Sequence, residues 1–365
     1  MATSPQYSKY AAQNEDVAVD LNRYSDTQDA ALRSALGGVA VSNELSPRTL
    51  FYSQAAMLKH AQPILILEKF GTTYPMPANK GQTIKMRRPV PFAPATTPLV
   101  EGVTPDAQKM SFEDVETSLH QYGAWLGITD VIGDTHEDPV LRTMSMLCGE
   151  QAGETKEMLT WGILTGGANV MFANGLADQG AVSAGAVTAV GAGAVMGLND
   201  LRKAKQILVR QRAKPITKIL DSSPKMRNSY VEASYLAFGH SDLEATLREI
   251  PGFYPTAAYG SRSVVSEYEV GTIENMRFIL SPYYEPVTGV GTNDVYQMII
   301  LGQDAFGVVP LRGKNAIQNY VLNPGTARSG DPLGQRGSVG WKTWFAALIT
   351  NQAWMVRLET GALAL

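Results

Sequence analysis

Thr83-Ile84-Lys85-Met86-Arg87-Arg88 alternates Ile84 and Met86 against Lys85 and Arg87, and what this stretch and its continuation to Ile128 form sets the architecture of the chain. Alternation at a period of two is the signature of a strand, because successive side chains leave a pleated backbone on opposite faces. Pro89, Pro91, Pro94, Pro98 and Pro105 then break the pattern, and Met110 to Ile128 returns as a second extended run with Val115, Thr117 and Leu119 on one side. The two runs predict a long hairpin with a wide loop from Phe92 to Asp106. A structureless loop of that length is uncommon within a compact domain and is usually functional or disordered. We therefore expect an arm that grips a neighbouring molecule; the plainer reading is a flexible surface hairpin on a monomer.

The segment after the hairpin predicts the longest helix. Asp138 is placed to cap it, Pro139 takes its first position, and Gly166-Gly167 ends it. Val140/Leu141, Met144, Leu147/Cys148, Gln151/Ala152, Met158/Leu159 and Ile163 recur at helical spacing, with Arg142, Glu150, Lys156 and Glu157 expected on the solvent face. Over 138–165 such a helix is about 40 Å long, enough to serve as a spine. On the N-terminal side, residues 1–48 are polar with few bulky apolar side chains and read as an arm that cannot order itself. A connecting helix is expected over 49–70, interrupted or restarted at Pro63.

Glycine and alanine dominate 166–197, after which Asn199 is expected to cap a second helix running to Lys214 and stopped by Pro215. Extended runs at Ile216 to Leu220, Thr272 to Leu280 and Val295 to Leu301 alternate with a helix-like Asp242 to Glu249, which predicts an α+β region with its own small sheet. Val339 to Ile349 and Ala353 to Leu358 are two further strands, expected to pack on the spine.

Composition narrows the function. The chain has 365 residues, 44% hydrophobic and 18% charged, with a net charge of −3. The length fits two or three compact units, and the low charged fraction implies that much surface meets protein. Holding nucleic acid by phosphate neutralisation requires concentrated Lys and Arg, so any DNA contact is expected to be weak and diffuse. The single Cys148 forms no internal disulfide and fits a reducing compartment. From Met1-Ala2-Thr3-Ser4-Pro5 no export leader is expected, and Ala181 to Leu198, the long uncharged run, is expected to be too rich in Gly and Ala for a membrane helix.

Three rival readings have a footing in the residues. Gly191-Ala192-Gly193-Ala194-Val195-Met196-Gly197, followed by a helix and by Ile216 to Asp221, mimics a dinucleotide site and makes a nucleotide-binding enzyme the alternative function; yet no bulky strand leads into the glycines and repeated βαβ units are missing. His60, His120, His136 and His240 are scattered, and His136-Glu137-Asp138 reads as the acidic start of the spine and not as a metal site. Arg202, Lys203, Lys205, Arg210, Arg212 and Lys214 surround their helix instead of forming one stripe, which predicts a solvated surface. No Ser-centred elbow, phosphate loop or zinc-protease pattern is present, so no catalytic, metal or cofactor-binding residue is assigned and no enzyme activity is expected.

The order of parts (arm, hairpin, spine, separate mixed region, returning strands) resembles that of phage coat proteins of the Hong Kong 97 type. Four stretches resemble the major capsid protein family first described in N-four-like podoviruses: Ala95-Thr96-Thr97-Pro98-Leu99-Val100-Glu101-Gly102-Val103-Thr104-Pro105, Gln121-Tyr122-Gly123-Ala124-Trp125, Thr135-His136-Glu137-Asp138-Pro139-Val140-Leu141 and Gly337-Ser338-Val339-Gly340-Trp341-Lys342-Thr343-Trp344. The resemblance covers most of 45–365 and is weakest in the central region. It implies an N-terminal arm (1–48), a connecting helix (49–70), an E-loop hairpin (71–122), a peripheral domain (123–195) holding the spine, an axial domain (196–330) and C-terminal strands (331–365) returning to the peripheral domain. It further implies hexamers and pentamers of an icosahedral virion shell around double-stranded DNA, assembled in the host cytoplasm with a separate scaffolding protein, a portal and a decoration protein as partners, and no membrane. Lys85, Arg87, Arg88, Phe92, Leu99, Glu101 and Asp106 are the expected E-loop contacts between subunits, the charged ones setting orientation more than strength.

Overall fold

The structure is a computed structural model. It describes Met57, Ala61 and residues 64–90, 92–135, 140–220, 228–260, 264–313 and 317–363, apart from 97, 99, 100, 103, 105, 106, 290, 292, 326, 328 and 329. The expected arm 1–48, most of the connecting helix, His60, the 136–139 helix start, Leu99 and Asp106 lie outside the described residues.

In chain order the elements are β1 (Thr72–Thr73), β2 (Thr83–Pro89), β3 (Phe112–Ser118), β4 (His120–Thr129), α1 (Asp130–Thr135), α2 (Val140–Thr165), β5 (Val170–Phe172), α3 (Gln179–Ala184), α4 (Leu198–Arg210), β6 (Ile216–Leu220), β7 (Asn228–His240), α5 (Leu243–Glu249), β8 (Phe253–Pro255), β9 (Glu269–Ile273), β10 (Met276–Ser281), β11 (Tyr296–Leu301), β12 (Phe306–Pro310), β13 (Gln318–Leu322), β14 (Arg336–Ile349) and β15 (Met355–Thr360). The chain divides into two compact units: one gathers 123–150 and 317–342 together with Met57, the other 61–122, 151–316 and 343–365.

The larger unit is built on a mixed eight-stranded sheet in the order β5-β15-β11-β7-β10-β9-β8, with β6 also on β7. Its central strands are apolar on both faces. Met298 and Ile300 of β11 join Phe278, Val356 and Leu358 against Leu201, Ala204 and Leu208 of α4 and Leu243 and Leu247 of α5. Ile299 and Leu301 point the other way and join Leu236, Phe238 and Ile279 against Ile66, Leu67 and, from α2, Trp161 and Leu164. A sheet covered on both sides loses its alternation of polar and apolar residues, so these strands read as continuous apolar runs. Each fully buried Leu, Ile or Phe contributes about 1.5–3 kcal/mol of transfer free energy.

Several expectations change at this level. Thr272 to Leu280 is a hairpin, β9 and β10, turning at Glu274, whose φ of 51° lies in the left-handed region. The two C-terminal strands part company: the later residues of β14 pair with β12, while β15 enters the eight-stranded sheet between β5 and β11. Gly197, not Asn199, precedes α4, because Asp200 reaches back to accept the Gly197 amide at 3.1 Å, and the helix ends at Arg210.

The smaller unit centres on the earlier residues of β14, which pair with β13 on one side and with β4 on the other. Val321, Val339, Trp341 and Ile128 are buried there. The first residues of α2 also belong to it, and a Cβ on Gly149 would lie 2.4 Å from the Met57 carbonyl oxygen, so glycine is what lets that backbone come so near.

Candidate functional site

The hairpin is present and its chemistry is legible residue by residue. β2 and β3 pair antiparallel from Thr83↔Ser118 to Pro89↔Phe112 and form a two-stranded sheet of their own. Ile84, Met86 and Val115 share one face and, at the base, pack with Trp344 against Met76, Leu119, Val309, Ala346 and Leu348. The opposite face is charged. Lys85 faces Glu116 and lies 3.5 Å from Asp114, Arg87 donates to Asp114 at 3.1 Å, and on the first face Arg88 pairs with Glu113 nearer the tip. The hydrogen bond to Glu116 holds the Lys85 ammonium above its ordinary pKa.

Lys85, Arg87 and Arg88 thus meet acids on the opposite strand of their own hairpin, partners that the sequence reading did not name. The signal for them was in the sequence: Glu113, Asp114 and Glu116 match the cations in number, but the match shows only when the register is known. Beyond the ladder, Val90 donates to the Ser111 carbonyl. Phe92, Met110 and Phe112 are each at least half exposed at this end. Glu101 is exposed near the turn at Gly102, whose φ is 81°. Leu99 and Asp106 lie outside the described residues. The hairpin therefore has an apolar root, a self-neutralised shaft and an exposed apolar end.

A second polar constellation was missed outright. Lys156 and Glu157, expected in solvent, are 5% and 1% exposed, and the core-facing side of α2 is Ser145, Cys148, Gly149, Ala152, Gly153, Lys156, Glu157, Thr160, Trp161 and Leu164. Met158 and Leu147, expected in the core, stand out in solvent. The Glu157 carboxylate accepts from the Ile66 amide at 3.1 Å, the Leu67 amide at 3.0 Å and the Tyr284 hydroxyl at 2.7 Å. It thereby caps the 3-10 turn Leu67–Lys69 with an acceptor from a distant helix. Tyr284 stacks on Trp161 with centroids 4.2 Å apart, and Lys156 reaches Glu68 at 2.7 Å while lying over the Phe345 ring. Burial pushes the Glu157 carboxyl up to about 7 against the pull of its three hydrogen bonds, and burial beside that carboxylate raises the Tyr284 phenol well above its usual value. Burial likewise pushes the Cys148 thiol up to about 11.

The dinucleotide site that the glycine stretch resembled is not formed among the described residues. The glycine stretch folds on itself, with Ala194 donating to the Ala186 carbonyl and Gly191 to the Met196 carbonyl. The amides of Met196 and Gly197, at the start of α4, are taken by Thr360 and Asp200. No strand among the described residues leads into the glycines, and β6 runs antiparallel to β7, so the parallel unit of a dinucleotide site is not made. Among the described residues no three His, Cys, Asp or Glu side chains gather to hold a metal, and no helix is long and apolar enough to cross a membrane. On α4, Arg202 and Lys205 pair with Glu274, and Lys203 with Asp200.

The sequence profile of a family described as phage capsid protein matches residues 112–358. Among solved structures the chain is similar to the capsid of Ralstonia phage GP4 (12% identity, 90% of this chain and 96% of that one, TM-score 0.56). It is also similar to the head of Helicobacter pylori bacteriophage KHP40 (12% identity, 89% and 95%, TM-score 0.54) and to the capsid of cyanophage P-SCSP1u (13% identity, 90% and 92%, TM-score 0.53). No curated protein matches it in sequence.

Proposed function

The chain belongs to the phage capsid protein family, a structural protein of the virion shell, and we propose that the β2–β3 hairpin is the arm by which each copy holds its neighbour. The carrying observation is the distal end. Phe92, Met110 and Phe112, at and just beyond the last hairpin pair, are each at least half exposed, and apolar surface in that position gains stability when another molecule removes it from water. The paired shaft serves a different purpose: cations already matched with acids keep the arm straight without leaving a net field.

In this reading the copies form hexamers and pentamers of an icosahedral shell around double-stranded DNA, held with only weak contact by a chain of net charge −3. Assembly takes place in the host cytoplasm with separate scaffolding, portal and decoration proteins, and the chain has no catalytic role. Closed symmetric assembly needs surfaces that recur in every copy, and an arm that reaches a neighbour supplies one. The test removes residues 92–106 from the full chain. The subunit is expected to stay folded by circular dichroism and to lose the rings or closed shells that the unaltered chain shows in negative stain and sedimentation. Normal shells from the deletion would overturn the assignment of the arm.

A further inference from the structure

We propose that a cleft in the larger unit, lined by Tyr254, Tyr259, Thr272 and Glu274, binds a neutral sugar ring. This goes beyond the shell reading and does not depend on how copies assemble.

The cleft lies at an end of the eight-stranded sheet, where β8 is the terminal strand in the order and pairs with β9. Tyr254 of β8 stands opposite Thr272 of β9, so both side chains leave the same face, while Phe253 and Ile273 turn the other way into the core. Gly252 and Glu274 flank these paired residues, and the turn Thr256–Ala258 brings Ala258 and Tyr259 round to complete the lining. The enclosed space is about 440 Å³, within the range of small-ligand sites. Its back is fixed. The Tyr259 hydroxyl donates to Glu269 at 2.7 Å, and the buried Arg277 lies 3.4 Å from Glu269 with its guanidinium 5.9 Å from the centre of the Tyr259 ring. Tyr254, by contrast, is half exposed. One ring is therefore held inside and the other stands at the mouth.

The charges decide the class of ligand. Glu274 accepts from Arg202 at 2.8 Å and from Lys205 at 3.4 Å, and the Arg202 hydrogen bond holds its carboxyl below the ordinary value, so it is an ionised acceptor. Arg277 lies 3.4 Å from Glu269 and 3.9 Å from Glu232. Glu274, Glu269 and Glu232 are thus matched by Arg202, Lys205 and Arg277, and a charged ligand would give up its hydration without gaining an uncompensated partner. What remains is capacity to hydrogen-bond. A carboxylate offers about four lone-pair positions, which the bonds from Arg202 and Lys205 do not exhaust, and Tyr254 and Thr272 add hydroxyls. A pyranose ring matches both parts of this lining. Its hydroxyls donate to the carboxylate, and its C–H face is apolar and lies flat on a tyrosine ring, which presents the negative side of its quadrupole.

Saturation-transfer NMR of the full chain tests this with the methyl glycosides of glucose, galactose and N-acetylglucosamine. At least one is expected to receive saturation on its ring protons. Tyr254→Ala, at a half-exposed position, is expected to leave the fold unchanged by circular dichroism and to weaken that binding about tenfold, whereas Tyr254→Phe, which keeps the ring, retains it. Absence of saturation in all three glycosides overturns the site, and so does saturation undiminished in Tyr254→Ala. Putrescine and succinate, the cationic and anionic probes, are expected to stay unsaturated; Tyr254-dependent saturation of either overturns the neutral assignment. None of these outcomes bears on the shell reading, which stands or falls by the hairpin deletion.

Discussion

The hairpin and the long helix α2 both carry charge, and they use it in opposite ways. Along β2 and β3 the cations and acids lie at the surface, each facing an opposite charge across two strands, and water surrounds them. On α2, Lys156 and Glu157 are adjacent in sequence and both buried, and their partners come from residues 66–68 and from Tyr284. An exposed pair gains little, because water solvates the separated ions nearly as well. A buried charge has given up its hydration, so the groups that replace water become obligatory. The hairpin's charges therefore line a solvated surface and pair within it, whereas those of the helix hold the chain to one arrangement of the 66–68 turn, α2 and the large sheet.

That contrast breaks first at Glu157. Glu157→Ala leaves two amides and a phenol without their acceptor, and chemical denaturation of the subunit is expected to show a loss of about 3–5 kcal/mol. Glu157→Gln, which keeps the shape and one acceptor oxygen, should lose visibly less. Glycines on the same helix sharpen the point without any charge. Alanine is normally the better helix residue by about 1 kcal/mol. Gly149→Ala, whose Cβ would meet the Met57 carbonyl oxygen at 2.4 Å, is expected instead to destabilise by about 2–3 kcal/mol. Gly162→Ala, whose Cβ meets nothing within 4 Å, should stabilise. Opposite signs at two glycines of one helix, read from denaturant midpoints, check the assignment of its buried face.

A pH titration separates the buried carboxylate from all the exposed ones. The folded carboxyl of Glu157 is pushed up to about 7 by burial, whereas an unfolded glutamate titrates near about 4.3. The folded state therefore holds the proton more tightly. Its contribution to stability is complete below the unfolded value, falls as pH rises through the window between the two, and is gone above about 7. Measured as the unaltered chain minus Glu157→Gln, so that other carboxylates cancel, the stability difference is expected to favour the unaltered chain by about 1–3 kcal/mol more at pH 5 than at pH 8. A flat difference would show that the carboxyl is not desolvated.

The two regions were not equally legible in the sequence. β2 and the extent of α2 were readable because their signals are local: Ile84 and Met86 alternate with Lys85 and Arg87, and Gly166-Gly167 stops a helical run. Which face of α2 is buried was not readable, because the face is made of small and polar residues whose partners lie far along the chain, Glu157 meeting residues 90 and 91 positions away. β7 went unread for a related reason: Asn228 to His240 mixes polar and apolar residues, and only its place between β11 and β10 makes it a central strand. At the hairpin the cations were visible, but their acids required the register of β3.

The smallest effect belongs to the hairpin shaft, and there the expectation is near silence in one measurement and a signal in another. Arg87→Gln removes a partner of Asp114 at a position open to solvent. Subunit stability should change by less than about 0.5 kcal/mol, as for most surface substitutions. Asp114 keeps Lys85 within 3.5 Å, so no charge is stranded. If the shaft exists to hold its end in position for another copy, the substitution should instead slow assembly, more at low salt than at high, because the ladder it weakens is screened within about 10 Å at 0.1 M ionic strength. Light scattering during assembly at two salt concentrations reads this directly. Loss of subunit stability comparable to that of Glu157→Ala would mean that the shaft's charges secure the fold as firmly as those of the helix do, and the distinction between the two regions would be lost.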